Sequence, residues 1–170
     1  LGSYGDFSSF SFYYSHQITS GEGGMIACKK KEDYNLLKIL RAHGWDRDLV
    51  KSNNKKFNFI NSGFNVRPLE VSAAIGLNQF KRLPKMISIR SYNRNKIIKT
   101  LKNSHNWNEQ FTFFKHKKDL KPSWFGFPLL INPKFEKKKE KFLKFLAKNN
   151  LESRPIISGN FVNQPAIKLY

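Results

Sequence analysis

One of four histidines, His16, follows the aromatic and hydroxyl-rich stretch Phe7-Ser8-Ser9-Phe10-Ser11-Phe12-Tyr13-Tyr14 and precedes the glycine cluster Gly21-Glu22-Gly23-Gly24. An imidazole with an unperturbed pKa near ~6.5 moves protons well close to neutral pH, which makes His16 a candidate acid/base group. A histidine after a strand is otherwise an ordinary solvated or structural residue. Ser11 lies five residues earlier. A hydroxyl with backbone amides nearby suits a phosphate, and the plain alternative is a strand serine. Cys28, the one cysteine, has no partner for an internal disulfide and sits in the apolar run Met25-Ile26-Ala27-Cys28, where a small buried thiol is expected. No grouping of His, Cys and carboxylates has metal-site spacing.

The elements that must position these groups follow from the pattern. Residues 7–14 read as a buried strand ending in the turn Ser15-His16-Gln17, and residues 25–28 as a second strand, so the glycines join two strands and leave His16 beside their mouth. Asp33 can cap a helix that runs through Tyr34, Leu37, Ile39 and Leu40 to His43 and stops at Gly44. Residues 44–63 are polar and irregular. Pro68 opens a helix through Val71, Ala74, Ile75 and Leu77, and a separate helix over residues 85–102 is expected to connect to a second domain. Strands over residues 111–114 and 124–131, a helix over 135–149 and an extended segment over 152–157 complete an α/β pattern without internal repeats.

Apolar residues make up 39% of the 170, with sixteen Phe, enough for a packed core and too many for a disordered chain. The chain opens on Leu1 and stops inside an apolar pattern at Tyr170, so it reads as a piece of a larger enzyme. Without an apolar run of the roughly 20 residues a membrane helix needs, the expected setting is soluble and cytoplasmic. The net charge of +19 raises the question of a polyanion partner. Its lysines, however, are scattered among asparagines, as in Lys51-Ser52-Asn53-Asn54-Lys55-Lys56, with no basic helix, zinc spacing or aromatic RNA-binding signature. Attraction of a nucleotide diphosphate is the milder use.

The stretch Ser11-Phe12-Tyr13-Tyr14-Ser15-His16-Gln17-Ile18-Thr19-Ser20-Gly21-Glu22-Gly23-Gly24 resembles the cofactor-lysine segment of the DegT/DnrJ/EryC1/StrS sugar aminotransferases, with His16 where that family has lysine. The exchange resembles the branch of PMP-dependent GDP-4-keto-6-deoxy-D-mannose 3-dehydratases. Gly63-Phe64-Asn65-Val66-Arg67-Pro68 resembles the family's Gly-aromatic-Asn-x-Arg segment, while Arg41-Ala42-His43-Gly44-Trp45-Asp46-Arg47, Ser123-Trp124-Phe125-Gly126-Phe127 and Glu152-Ser153-Arg154-Pro155-Ile156 through Ser158-Gly159-Asn160-Phe161 are similar to segments of that branch.

The resemblance implies a fragment of a fold-type-I PLP-dependent transferase. Residues 1–84 would end the large domain, 85–105 form a connecting helix, and 106–170 belong to the small C-terminal α/β domain. It implies pyridoxal or pyridoxamine phosphate (PLP/PMP) held without a covalent link, because imidazole has no primary amine to form a Schiff base. Ser11 and Asn65 would contact the cofactor phosphate, Asn65 from a neighbouring subunit, so a homodimer with shared active sites is implied. His43, Arg47, Arg67 and Arg154 become candidate substrate contacts. For His43 the alternative is a contact with the helix C-terminus, worth ~0.3–1 kcal/mol; for Arg154 it is a buried ion pair. The implied reaction condenses PMP with the C4 ketone of a nucleotide-linked 4-keto-6-deoxyhexose. His16 removes a proton, the C3 hydroxyl leaves, ammonia is released, and glutamate restores the amine. A related CDP-sugar branch with an iron–sulfur cluster needs about four thiolates, against one here. An aminotransferase and, further off, a basic binding module are the rivals.

Overall fold

The computed structural model describes residues 2–49 and 57–169. The Lys51-to-Lys56 run that illustrated the charge pattern lies outside the described residues, as does part of the irregular 44–63 stretch. The chain divides into two compact units, Leu1–Met86 and Ile87–Tyr170.

In the first unit, strands β1 (Phe7–Ser11) and β2 (Gly24–Cys28) pair antiparallel, from Phe7 opposite Cys28 to Ser11 opposite Gly24. β1 is shorter than expected and alternates between exposed and half-buried rather than lying buried, because among the described residues β2 is its one partner strand. Cys28, expected buried, is partly exposed at the end of β2.

Helix α1 (Lys31–Arg41) contacts β2. Glu32 and Asp33 in its first turn, and Lys38 and Arg41 in its last, complement the helix dipole. Asp33 therefore sits inside the helix rather than capping it; Lys30 holds the cap position without a side-chain bond. The helix ends two residues before His43, which takes a left-handed φ of 65° and is followed by Gly44 at 83°. Gly44 N donates back to Ile39 O at 2.9 Å, closing the last turn. Ile39 and Ala42 are the buried apolar residues here. Two chain segments cross at this point with no room for side chains. A Cβ on Gly44 would lie 1.6 Å from Asn61 O, and one on Gly63 would lie 2.2 Å from Gly44 N.

Helix α2 (Glu70–Lys102) has 33 residues, about 50 Å at the standard rise. It replaces the two helices expected, since Pro84 lies inside it. A proline removes one donor and crowds one carbonyl, and the helical stretches on both sides are long enough to carry the helix through.

In the second unit, β3 (Phe111–Phe113) and β4 (Leu129–Ile131) pair antiparallel, Phe111 opposite Ile131. A 3₁₀ turn over Pro133–Lys138, capped by Asn132 Oδ1 accepting from Lys134 N at 3.1 Å, leads into α3 (Lys139–Lys148). Phe142 of α3 meets Phe111 at 5.1 Å between ring centroids, and Trp107 stacks on Phe113 at 5.7 Å. The strand expected over 124–131 contracts to its last three residues, since Trp124 adopts a φ of 45° and Pro128 has no N–H for a ladder. The expected helix over 135–149 starts as the 3₁₀ turn. Residues 152–157 form no strand; Ile157 N bonds only locally, to Pro155 O at 2.8 Å. No helix among the described residues is long and apolar enough to cross a membrane.

Candidate active site

The loop between β1 and β2 is tied at its base by backbone and hydroxyl bonds. Phe12 N donates to Gly23 O at 2.8 Å, and Ser20 N to Phe12 O at 2.9 Å. Thr19 Oγ1 also donates to Phe12 O, and the buried Ser20 hydroxyl donates to Glu22 O at 2.8 Å. Gly23 has a φ of 153°, and a Cβ there would stand 2.6 Å from Ser20 Oγ, so the closure requires glycine.

His16 stands exposed on this tied loop, its backbone N–H donating to Tyr13 O at 3.0 Å and its ring edge-on to Tyr13 at 6.0 Å. The Tyr13 phenol is held above its ordinary pKa, chiefly by a hydrogen bond with the Tyr14 side chain, then by desolvation and the Glu22 carboxylate. It stays protonated beside the imidazole. Ser11 lies exposed at the end of β1, its hydroxyl accepting from Tyr13 N at 3.3 Å. Between Ser11 and Gly24 the chain offers hydroxyls, backbone amides and one imidazole, and no lysine. That donor set suits a phosphate-bearing group held without a covalent bond.

His43, Arg47, Asn65 and Arg67 gather around the end of α1. His43 N donates to Phe64 O at 2.9 Å, and Ala42 pairs with Asn65 in an isolated antiparallel bridge. Asn65 Oδ1 accepts from Arg67 Nη2 at 3.2 Å, and both residues are exposed. The Arg47 guanidinium lies 4.4 Å from the Trp45 ring, which stacks on Phe57 at 5.3 Å. Asp48 links Arg47 (3.6 Å) and Arg41 (3.3 Å). Asp46, 5% exposed, accepts from Asn58 Nδ2 at 2.6 Å. An imidazole on a bonded backbone, a guanidinium and an amide beside an indole can hold anionic and planar groups.

Arg154 belongs to the second unit. It is exposed, and among the described residues the ion pairs are those of Asp48, so the buried ion pair considered for Arg154 is absent. Its guanidinium lies 5.6 Å from the Phe125 ring. Sequence reasoning missed Arg90 and Arg94, which approach Phe125 (6.0 Å) and Trp124 (3.8 Å). Their spacing of four on one helix was the available signal.

The DegT/DnrJ/EryC1/StrS aminotransferase family model matches residues 1–169. A GDP-4-keto-6-deoxy-D-mannose 3-dehydratase from Yersinia pseudotuberculosis is 35% identical over 99% of this chain and 44% of its own length. The structure of the E. coli GDP-4-keto-6-deoxy-D-mannose-3-dehydratase with bound hydrated PLP superposes over 100% of this chain and 45% of its own, at 34% identity and a TM-score of 0.85. A GDP-4-keto-6-deoxymannose-3-dehydratase structure with a trapped PLP-glutamate geminal diamine gives 33% identity and a TM-score of 0.84 over 100% of this chain and 46% of its own. The chain thus spans a little under half of these relatives, and its fold is the corresponding part of a fold-type-I PLP-dependent transferase. Family match, fold and the tied loop agree: the chain belongs to the DegT/DnrJ/EryC1/StrS aminotransferase family.

Proposed function

We propose that this chain is part of a PLP/PMP-dependent 3-dehydratase acting on a GDP-linked 4-keto-6-deoxyhexose in deoxysugar and cell-surface polysaccharide biosynthesis. The observation that carries the reading is His16, an exposed imidazole on a tied loop that contains no lysine. The 3-dehydratases similar to this chain support the substrate class.

The cofactor, when bound, supplies an electron sink for the carbon acid chemistry. Imidazole would leave it non-covalently held, and His16 would serve as the base that accepts a proton from the cofactor's methylene carbon as the C3 hydroxyl departs. Ser11 holds the phosphate from the loop base. Asn65 reaches the phosphate of a neighbouring subunit, which makes the full-length protein a homodimer with shared sites. His43, Arg47, Arg67 and Arg154 bind the nucleotide sugar. Glutamate is the amino donor, as the relative with a trapped glutamate adduct supports. Residues 1–84 belong to the large domain and 106–170 to the small one, with 85–105 as connector. We place the enzyme in the cytoplasm, without nucleic-acid or membrane partners.

The test is product analysis with the full-length protein. Release of ammonia with a 3-deoxy-4-keto sugar is expected, and borohydride should fail to fix cofactor to the protein. The family's aminotransferases are the rival; accumulation of an aminosugar, or borohydride labelling, would establish that reading instead.

A further inference from the structure

Among the described residues no strand pairs with the segment around Arg154, and its backbone bonds are local. The contact its guanidinium makes is with the Phe125 ring, next to Trp124 in another part of the same unit. Trp124 sits at a φ of 45°, a conformation costly for a bulky residue, which persists only where its surroundings fix it. Those surroundings are specific. The Arg94 guanidinium lies 3.8 Å from the Trp124 ring centroid, and His116 meets the indole edge-on at 5.7 Å. Arg94 is itself 9% exposed, and its guanidinium donates to Phe114 O and to Asn95 Oδ1. A buried cation on α2 therefore clamps Trp124 and sets the direction of the next residue.

That next residue, Phe125, is 46% exposed. Its ring faces two guanidinium groups, Arg154 at 5.6 Å and Arg90 at 6.0 Å. Neither is in an ion pair among the described residues, and Arg90 Nη1 is buried without a hydrogen-bond partner. Two uncompensated cations on one ring repel each other, and an oxyanion arriving between solvent and Arg154 relieves the repulsion.

We propose that Phe125 is a positioning residue, its ring holding the Arg154 guanidinium in place to bind an oxyanion of a reactant. The inference rests on the reading of Arg154 as a substrate contact. The shared chemistry is an oxyanion, either the diphosphate of the nucleotide sugar or a carboxylate of the amino donor.

The experiment uses the full-length holoenzyme with Phe125→Leu, Phe125→Tyr and Arg154→Gln. Phe125→Leu should raise the KM of one reactant about two- to fivefold, the worth of an exposed cation–π contact, with little change in kcat. Phe125→Tyr, which keeps the ring, should restore it. Titration with GDP alone, followed by calorimetry, separates the sources. A weakened GDP affinity assigns the diphosphate, whereas unchanged GDP affinity with a raised glutamate KM assigns the carboxylate. If Phe125→Leu does not fold, Phe125→Met supplies a flexible apolar replacement without a π face. Equal KM values in the Leu and Tyr variants, while Arg154→Gln shifts one, would overturn the role of Phe125 and leave Arg154 in place. An Arg154→Gln enzyme with both KM values intact overturns the inference as a whole. Failure of the dehydratase reading shows differently, as an aminated sugar from the wild-type enzyme, and the same KM comparison then still decides the role of Phe125.

Discussion

His16 and Arg154 are both exposed and both lie outside regular elements, yet they are held by opposite means. The loop of His16 is closed by main-chain bonds between Phe12, Ser20 and Gly23, and the imidazole adds only an edge-on contact with Tyr13. Arg154 has only local backbone bonds nearby, and its guanidinium is placed by the Phe125 ring behind it. A group whose backbone is anchored can be replaced without disturbing the fold around it, whereas a group placed by side-chain contacts depends on every member of the set.

The largest expected effect tests the first half of that contrast. His16→Asn in the full-length enzyme should lower the dehydration rate by about 10²- to 10⁴-fold, the contribution of a positioned base, while cofactor binding stays near wild type. A parallel loss of cofactor would mean that the imidazole does hold the loop. Asn65 is an intermediate case, its backbone paired with Ala42 and its side chain bonded to Arg67. Asn65→Ala should weaken cofactor retention by about 1.5–3 kcal/mol, the worth of a hydrogen bond to a charged group, as read by equilibrium dialysis. An active monomer in sedimentation would contradict the cross-subunit role. Gly23→Ala attacks the anchor directly, since a Cβ would stand 2.6 Å from Ser20 Oγ. It should cost about 1–3 kcal/mol in denaturant unfolding and slow the enzyme with His16 intact. Ser20→Ala removes a single buried hydroxyl bond to Glu22 O, for which about 0.5–1.5 kcal/mol is expected. If Ser20→Ala cost more than Gly23→Ala, the side chain rather than the backbone would be the staple.

The same contrast explains what could be read in advance. The two strands around the His16 loop and the glycines joining them were legible because turn chemistry is local: Gly-Glu-Gly-Gly announces a backbone that only glycine tolerates. The end of α1 was legible in Gly44 for the same reason. Pro84 misled, since a breaker's cost of one hydrogen bond is small against a helix of 33 residues. The strand expected across Trp124 failed because Trp124 adopts a φ of 45° and packs on Arg94, thirty positions away, a contact that no local pattern encodes. Burial was over-expected throughout: an apolar pattern shows which side chains can be covered, and Leu69, Val71, Leu77 and Phe80 near the start of α2 are open in this chain.

The closure beneath His16 also bears on how such a protein changes over generations. Because bonds among Phe12, Thr19, Ser20, Glu22 and Gly23 close the turn, position 16 is a socket whose occupant is not needed for the closure. One codon can then exchange a nucleophile for a proton carrier, leaving the mould untouched and diverting the lineage to a different reaction.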